Sequence, residues 1–311
     1  MTTATMKTDT GATTYTPKGM LIDGKWVESV SGARIDVENP ANRTKIAEVP
    51  RGGAADVEAA VAAATKVFPE WARTNPRVRG RALLKIADAL ETRAEEMARL
   101  IALETGNALR TQARPEANIT AEIFRYYGGL SGELKGETIP LGENMLSYTR
   151  REPLGVVGAV IPWNAPVLLG ALKIAAGVVA GNTVVLKPAE TTPLTALKLA
   201  ELIEEAGFPP GVVNIITGAG KTGRNLVRHP DVDKVAFTGS TEVGKMIQKD
   251  LAGTGRRYTL ELGGKAANII FDDAAVNQAV EGIVNGIFFN QGHVCCAGSR
   301  LFVQEGIADA V

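Results

Sequence analysis

Two cysteines and two histidines are all that this 311-residue chain carries of those side chains. The cysteines, Cys295 and Cys296, are neighbours, which rules out a disulfide framework and points to a reducing compartment, the cytoplasm. No cluster of His, Cys and carboxylates has metal-ligand spacing, so no metal site is expected. An excess of one charge is missing as well. Lys+Arg and Asp+Glu both count 34, and no basic stripe offers nucleic acid a footprint. A long hydrophobic run is also absent. The longest apolar stretch, 167–181, is broken by Lys173 and several glycines and falls short of the roughly 20 residues that cross a bilayer. It reads as a buried helix, and no membrane partner is expected. Residues 1–19 are rich in Thr and lack the apolar core of a secretory signal. They read as a disordered tail.

What is present is a regular alternation of short β-branched runs and helical stripes. Asp23-Gly24 sets a tight hairpin turn between Leu21 and Val27. Helices follow over 59–71, then from Pro76, with Asn75 as N-cap and an apolar stripe at Leu83, Ile86, Ala87 and Leu90, and again over 116–127. A Gly-rich boundary comes next, then an extended ribbon near 145–153. Strands at 156–161, 183–186, 212–216 and 235–237 alternate with helices. One of these helices is opened by Thr192-Pro193 and closed by Gly207. Near-continuous apolar strands separated by helices predict a parallel sheet covered on both faces. A second unit starts after Gly263: a strand at 267–271, a helix over 276–287, a strand at 301–303 and a helix barely begun at 307–311. The predicted fold is α/β: a Rossmann-like parallel-sheet cofactor domain over 20–132 and 154–263, a ribbon over 133–153, and an incomplete α/β catalytic domain over 264–311.

Two signatures carry the chemistry. Cys295 lies in Phe289-Asn290-Gln291-Gly292-His293-Val294-Cys295-Cys296-Ala297-Gly298. Gly292 lets the chain turn, leaving the cysteine pair on a loop that follows a helix. Free cysteines are usually small buried packers, but a catalytic thiol must be reachable, and this context favours the catalytic reading. Glu261 lies in Leu260-Glu261-Leu262-Gly263-Gly264-Lys265, on the strand face opposite Tyr258, Leu260 and Leu262. The end of a parallel strand is where α/β sheets place their ligand crevice. A solvated glutamate, or one paired with Arg256 or Lys265, is the bland alternative. A thiol and a carboxylate at one site suggest covalent attack on a carbonyl followed by activation of water.

Asn164, in Ile161-Pro162-Trp163-Asn164-Ala165-Pro166, joins a strand to a helix. It serves either as an N-cap or as a donor to a developing oxyanion. Lys187 and Glu190 close a strand with a cation and an anion suited to ribose hydroxyls. Phe237-Thr238-Gly239-Ser240-Thr241-Glu242-Val243-Gly244 runs from a strand into a helix start, where backbone N–H groups favour a phosphate. Gly218-Ala219-Gly220-Lys221-Thr222-Gly223 matches the dinucleotide pattern G-x-G-x-x-G, a weak signal by itself. The NTPase phosphate loop is excluded, because Ile215 stands where that motif needs glycine. His293 sits two positions from the thiol on the same loop, poorly placed to serve as its base. Beside an oxidoreductase, two other readings stay open: a thioester-forming hydrolase or acyltransferase, and a cofactor-binding or scaffolding remnant.

Taken together and in this order, Pro-Trp-Asn, Lys-Pro-Ala-Glu, Phe-Thr-Gly-Ser-Thr-Glu-Val-Gly, Glu-Leu-Gly-Gly-Lys and Gly-x-Val-Cys-Cys-Ala-Gly resemble the NAD(P)-dependent aldehyde dehydrogenase superfamily, from about Leu21 onward. The resemblance implies oxidation of an aldehyde to an acid. Cys295 would be the nucleophile, Asn164 with the Cys295 N–H the oxyanion donors, and Glu261 the activator of water. It implies cofactor contacts at Ile161, Trp163, Lys187, Glu190, Gly220, Gly239, Ser240, Thr241, Gly244 and Leu262. NAD is expected over NADP, because Glu190 would repel a 2′-phosphate. The 133–153 ribbon implies a homodimer or homotetramer. His293 replaces a frequent family Gln and is expected to alter loop packing rather than chemistry. Family chains continue well beyond Val311. The sequence is therefore expected to be truncated, poorly stable and inactive or impaired as it stands.

Overall fold

The computed structural model describes residues 15–311. Of the tail expected over 1–19, residues 1–14 lie outside the described residues. Tyr15 packs on the core and donates its hydroxyl to Glu201 at 3.1 Å, so the chain is already engaged there.

The first hairpin pairs β1 (Met20–Ile22) with β2 (Lys25–Val27) around Asp23 and Gly24, at φ 51° and 70°. A second hairpin follows, β3 (Arg34–Asn39) with β4 (Thr44–Pro50). Four helices come next: α1 (Ala54–Arg73), α2 (Pro76–Thr92), α3 (Ala94–Thr105) and α4 (Arg114–Gly129). The Asn75 side chain caps α2 by accepting from the Arg77 N–H at 2.9 Å. An exposed ribbon, β5 (Thr138–Ile139) with β6 (Ser147–Tyr148), leads into the main alternation. That runs β7 (Val156–Val160), α5 (Pro166–Val179), β8 (Thr183–Lys187), α6 (Leu194–Glu205), β9 (Val213–Ile215), α7 (Gly220–Arg228), β10 (Lys234–Gly239), α8 (Thr241–Leu251) and β11 (Arg257–Leu262). The chain ends with β12 (Ala267–Ile270), α9 (Val276–Phe288), β13 (Arg300–Val303) and a single tight turn at Glu305–Ile307, in place of the helix expected over 307–311.

The main sheet is ordered β11-β10-β7-β8-β9-β1-β2. Strands β7 to β11 run parallel, and β1 joins β9 antiparallel. Successive residues of β8 face opposite cores. Val184 and Leu186 join the cluster with α2 to α6, and Val185 joins the one with α1, α7 and α8. Burial on both faces is why this strand reads as one apolar run. The chain moves from β7 to β8 and β9, then returns to place β10 on the other side of β7. That reversal opens a crevice between the carboxyl ends of β7 and β10, and the candidate site lies there.

Strands β12 and β13 form their own parallel pair, over which α9 carries no buried side chain. Ile269, Phe271, Phe288, Leu301 and Phe302 are exposed. No helix among the described residues is long and apolar enough to cross a membrane.

Candidate active site

A cavity of about 1120 Å³ occupies the crevice. Its wall brings together Cys295, Glu261 and Asn164 with Ile161, Trp163, Lys187, Glu190, Gly220, Gly239, Ser240 and Leu262. These side chains arrive from the ends of β7, β8, β10 and β11, from the start of α7 and from the loop after α9. Thr241 and Gly244 are not among the lining residues. Thr241 opens α8 facing solvent. Gly244 is buried, and a Cβ there would come within 2.5 Å of the Leu262 side chain. Its missing side chain lets α8 lie close against β11.

The thiol loop begins with three consecutive left-handed residues, Asn290, Gln291 and Gly292, at φ 47°, 59° and 76°. Gly292 is only the last of the three, so the turn does not rest on the glycine alone. Asparagine tolerates this region better than most residues, but glutamine does so only when held. Asn290 is buried and donates to the Asn164 carbonyl at 2.9 Å and to the His293 carbonyl at 3.4 Å. Asn164 reaches the same loop from β7, its amide donating to the His293 carbonyl at 2.6 Å. It does not cap α5, whose cap position is Ala165 with no side-chain bond. One amide hydrogen of Asn164 is thus committed, and the other has no partner among the described residues and is left for the cavity that Asn164 lines. The His293 ring meets Trp163 edge-on, with centroids 4.9 Å apart, and so packs on the wall. Cys295 and Cys296 are free and exposed, and of the two only Cys295 lines the cavity.

Residues 26–311 match the profile described as the aldehyde dehydrogenase family. The chain belongs to this family. It is 46% identical over 309 residues to an aldehyde dehydrogenase of Aspergillus niger, covering 98% of this chain and 62% of the relative. Aldehyde dehydrogenase 1A1 of Gallus gallus is 46% identical over 295 residues, covering 93% and 58%. A solved NAD+ complex of aldehyde dehydrogenase from Bacillus cereus superposes with a TM-score of 0.92 at 42% identity, covering 94% of this chain and 60% of that one. The chain therefore spans about 60% of the length of these family members.

The electrostatics of this aldehyde dehydrogenase fold follow from burial at the crevice. Lys187 is buried, which pushes its ammonium below the ordinary lysine range, while Glu190 at 3.3 Å opposes the shift. Lys173, midway along α5, falls to about 8 through burial, with the Glu261 charge pulling it back up. Glu116 at the start of α4 lines the cavity. Burial raises it to about 7 against the pull of N–H groups from Leu168 and Val167. Glu116 and Asn290 line the cavity, Glu116 without any motif to mark it, whereas Lys173, the lone charge interrupting the most apolar helix, is not among the lining residues.

The residues present fit a dinucleotide. A Cβ at Gly220 would meet nothing within 4 Å, so the backbone of α7 lies open to the cavity. Ser240 caps α8, its hydroxyl accepting from the Val243 N–H at 3.3 Å. An eleven-residue helix thereby presents its positive end beside the wall. Among the described residues no group of three or more His, Cys, Asp or Glu could hold a metal ion.

Proposed function

We propose that the protein oxidises an aldehyde to a carboxylic acid with NAD, through a thiohemiacetal and a thioester on Cys295. The observation that carries this reading is one wall shared by Cys295, Glu261, Asn164 and the Lys187–Glu190 pair. The Cys295 thiolate adds to the aldehyde carbon. The free amide hydrogen of Asn164 and the Cys295 N–H receive the oxyanion. When bound, the nicotinamide supplies the acceptor for the hydride that leaves this carbon. Glu261 then takes a proton from water, which attacks the thioester, releases the acid and returns the thiol. Lys187 and Glu190 would hold the adenosine ribose, and the Glu190 charge favours NAD over NADP. Ser240 and the N-terminus of α8 would take the pyrophosphate, with Gly239 leading into it and the open backbone at Gly220 facing the same cavity. Ile161, Trp163 and Leu262 would frame the nicotinamide end.

The edge-on packing of His293 against Trp163 supports this reading over a Cys–His hydrolase. The 133–153 ribbon is proposed as a homo-oligomer contact. The free thiols suit the cytoplasm. For the 311-residue chain alone we propose impaired turnover, because the thiol loop hangs from α9, which buries no side chain. A cofactor-binding remnant is the second reading, favoured by that same uncovered helix. Following NADH absorbance with simple aldehydes tests the proposal. Oxidation that vanishes in Cys295→Ala and survives in Cys296→Ala supports it, and oxidation that survives Cys295→Ala overturns it.

A further inference from the structure

The left-handed turn ahead of Cys295 is uphill for Asn290 and Gln291, so contacts outside the turn must hold it. Those of Asn290 are with Asn164 and within the loop. Those of Gln291 reach a different part of the chain. Its side-chain amide donates to the Gly106 carbonyl at 3.1 Å and to the Asn107 side-chain oxygen at 3.3 Å. Asn107 in turn donates its own amide to the Asn164 carbonyl at 3.4 Å. That carbonyl also receives Asn290. Asn107 is only 4% exposed, and its side chain spends its oxygen on one loop and its NH2 on the other.

The corner that carries Asn107 is fixed from behind. Gly106 ends α3 in the left-handed conformation, its N–H donating to the Ala102 carbonyl at 3.0 Å. The Asn107 N–H donates to the Thr105 hydroxyl oxygen at 3.0 Å. Glu104 is buried and accepts from the Leu194 and Thr195 N–H groups at 2.7 and 3.0 Å, anchoring the end of α3 on the start of α6. The thiol loop thus leans on a packed support in the cofactor-side core. Its own helix, α9, buries no side chain and gives the loop a backbone bond, from the Gly298 N–H to the Gly286 carbonyl at 3.0 Å.

We propose that Asn107 is a positioning residue of this site. By clasping Gln291 on one side and the Asn164 carbonyl on the other, it sets where Cys295 stands relative to the amide that would receive the oxyanion. This rests on the reading of Cys295 as the nucleophile.

The test uses the 311-residue chain and needs no turnover. Iodoacetamide labelling of Cys295 is quantified by mass spectrometry with Cys296 as internal reference, and hydrogen exchange is followed over 289–299. Asn107→Ala is expected to speed exchange there and to change the Cys295:Cys296 labelling ratio by about three- to tenfold, the scale of one or two lost hydrogen bonds. Asn107→Asp keeps an oxygen for Gln291 but loses the N–H that meets the Asn164 carbonyl, and should recover at most part of the native ratio. Gln291→Ala, at an exposed side chain, should reproduce Asn107→Ala, and the double variant should go no further than either. Should Asn107→Ala fail to fold, Gln291→Ala carries the same test. A ratio and exchange pattern unchanged in both single variants, or effects that simply add, overturns the proposal. If native Cys295 labels no faster than Cys296, the nucleophile reading fails, while exchange over 289–299 still decides the clasp.

Discussion

The Asn164 amide donates to the backbone carbonyl of His293 at 2.6 Å, a bond across 129 residues that ties the exit of β7 to the loop carrying Cys295. An asparagine read as either cap or oxyanion donor therefore has a third occupation. It holds the loop and still keeps one amide hydrogen for chemistry.

This dual use makes Asn164→Ala more damaging than loss of an oxyanion donor alone. The pre-steady-state NADH burst should slow by about 10²–10³-fold. Hydrogen exchange over 289–299 should rise with it. A slowed burst with unchanged exchange would separate the two roles and leave only the oxyanion one.

Glu261→Gln should act on a different step. A glutamine cannot take the proton from water, so the thioester should accumulate. The NADH burst should keep its native rate, while steady turnover falls by about 10²–10⁴-fold. Quenched samples should carry the acyl mass on the peptide containing Cys295. An unaffected burst followed by unchanged turnover removes Glu261 from the mechanism.

Much of this arrangement was legible in the residues, for a physical reason. Strands buried on both faces, such as β8, must be apolar throughout, and their helices announce themselves by caps and glycines, as α2 does at Asn75-Pro76 and α6 at Gly207. Helix α3 was not anticipated because Arg93 alone separates it from α2, with no Gly or Pro between them and no side-chain cap. Hairpin β3–β4 was missed as well, because its turn over 40–43 carries no glycine and sets Arg43 in the left-handed region instead. The end of β11 was readable as a ligand edge, which put Glu261 at the crevice. The bonds that shape the thiol loop were not, because Asn290, Gln291, Asn107 and Asn164 meet across long separations and an amide side chain advertises no partner. Gly244 belongs to a cofactor motif, and in the structure it also gives α8 room to lie against Leu262, a packing demand that the motif alone does not reveal.

Glu116 makes stability depend on pH in a direction opposite to that of most carboxylates. Its folded value of about 7 exceeds its ordinary 4.5. The folded state therefore binds its proton more tightly than the unfolded chain. The resulting stabilisation is complete below about 4.5 and is lost as pH rises through 7, amounting to about 3 kcal/mol at most. Glu116→Gln keeps an oxygen for the Leu168 N–H and cannot ionise. Chemical denaturation of the 311-residue chain at pH 5 and pH 8 should show the variant gaining on the parent at the higher pH. Parallel curves for the two proteins would mean that this carboxyl is already ionised at pH 5.

Gly244→Ala separates packing from cofactor binding. The added Cβ would sit 2.5 Å and 2.9 Å from the two methyls of Leu262 and 3.3 Å from its Cγ. Either the leucine or α8 must give way, at about 1–3 kcal/mol. The melting temperature should fall. Leu262→Ala in the same chain should recover part of that loss, because it vacates the volume the new methyl needs, although alone it would leave a gap. If Gly244 instead served the cofactor directly, Gly244→Ala would leave thermal stability near that of the parent and weaken NAD+ binding, read by quenching of tryptophan fluorescence. Removing the leucine would then restore nothing.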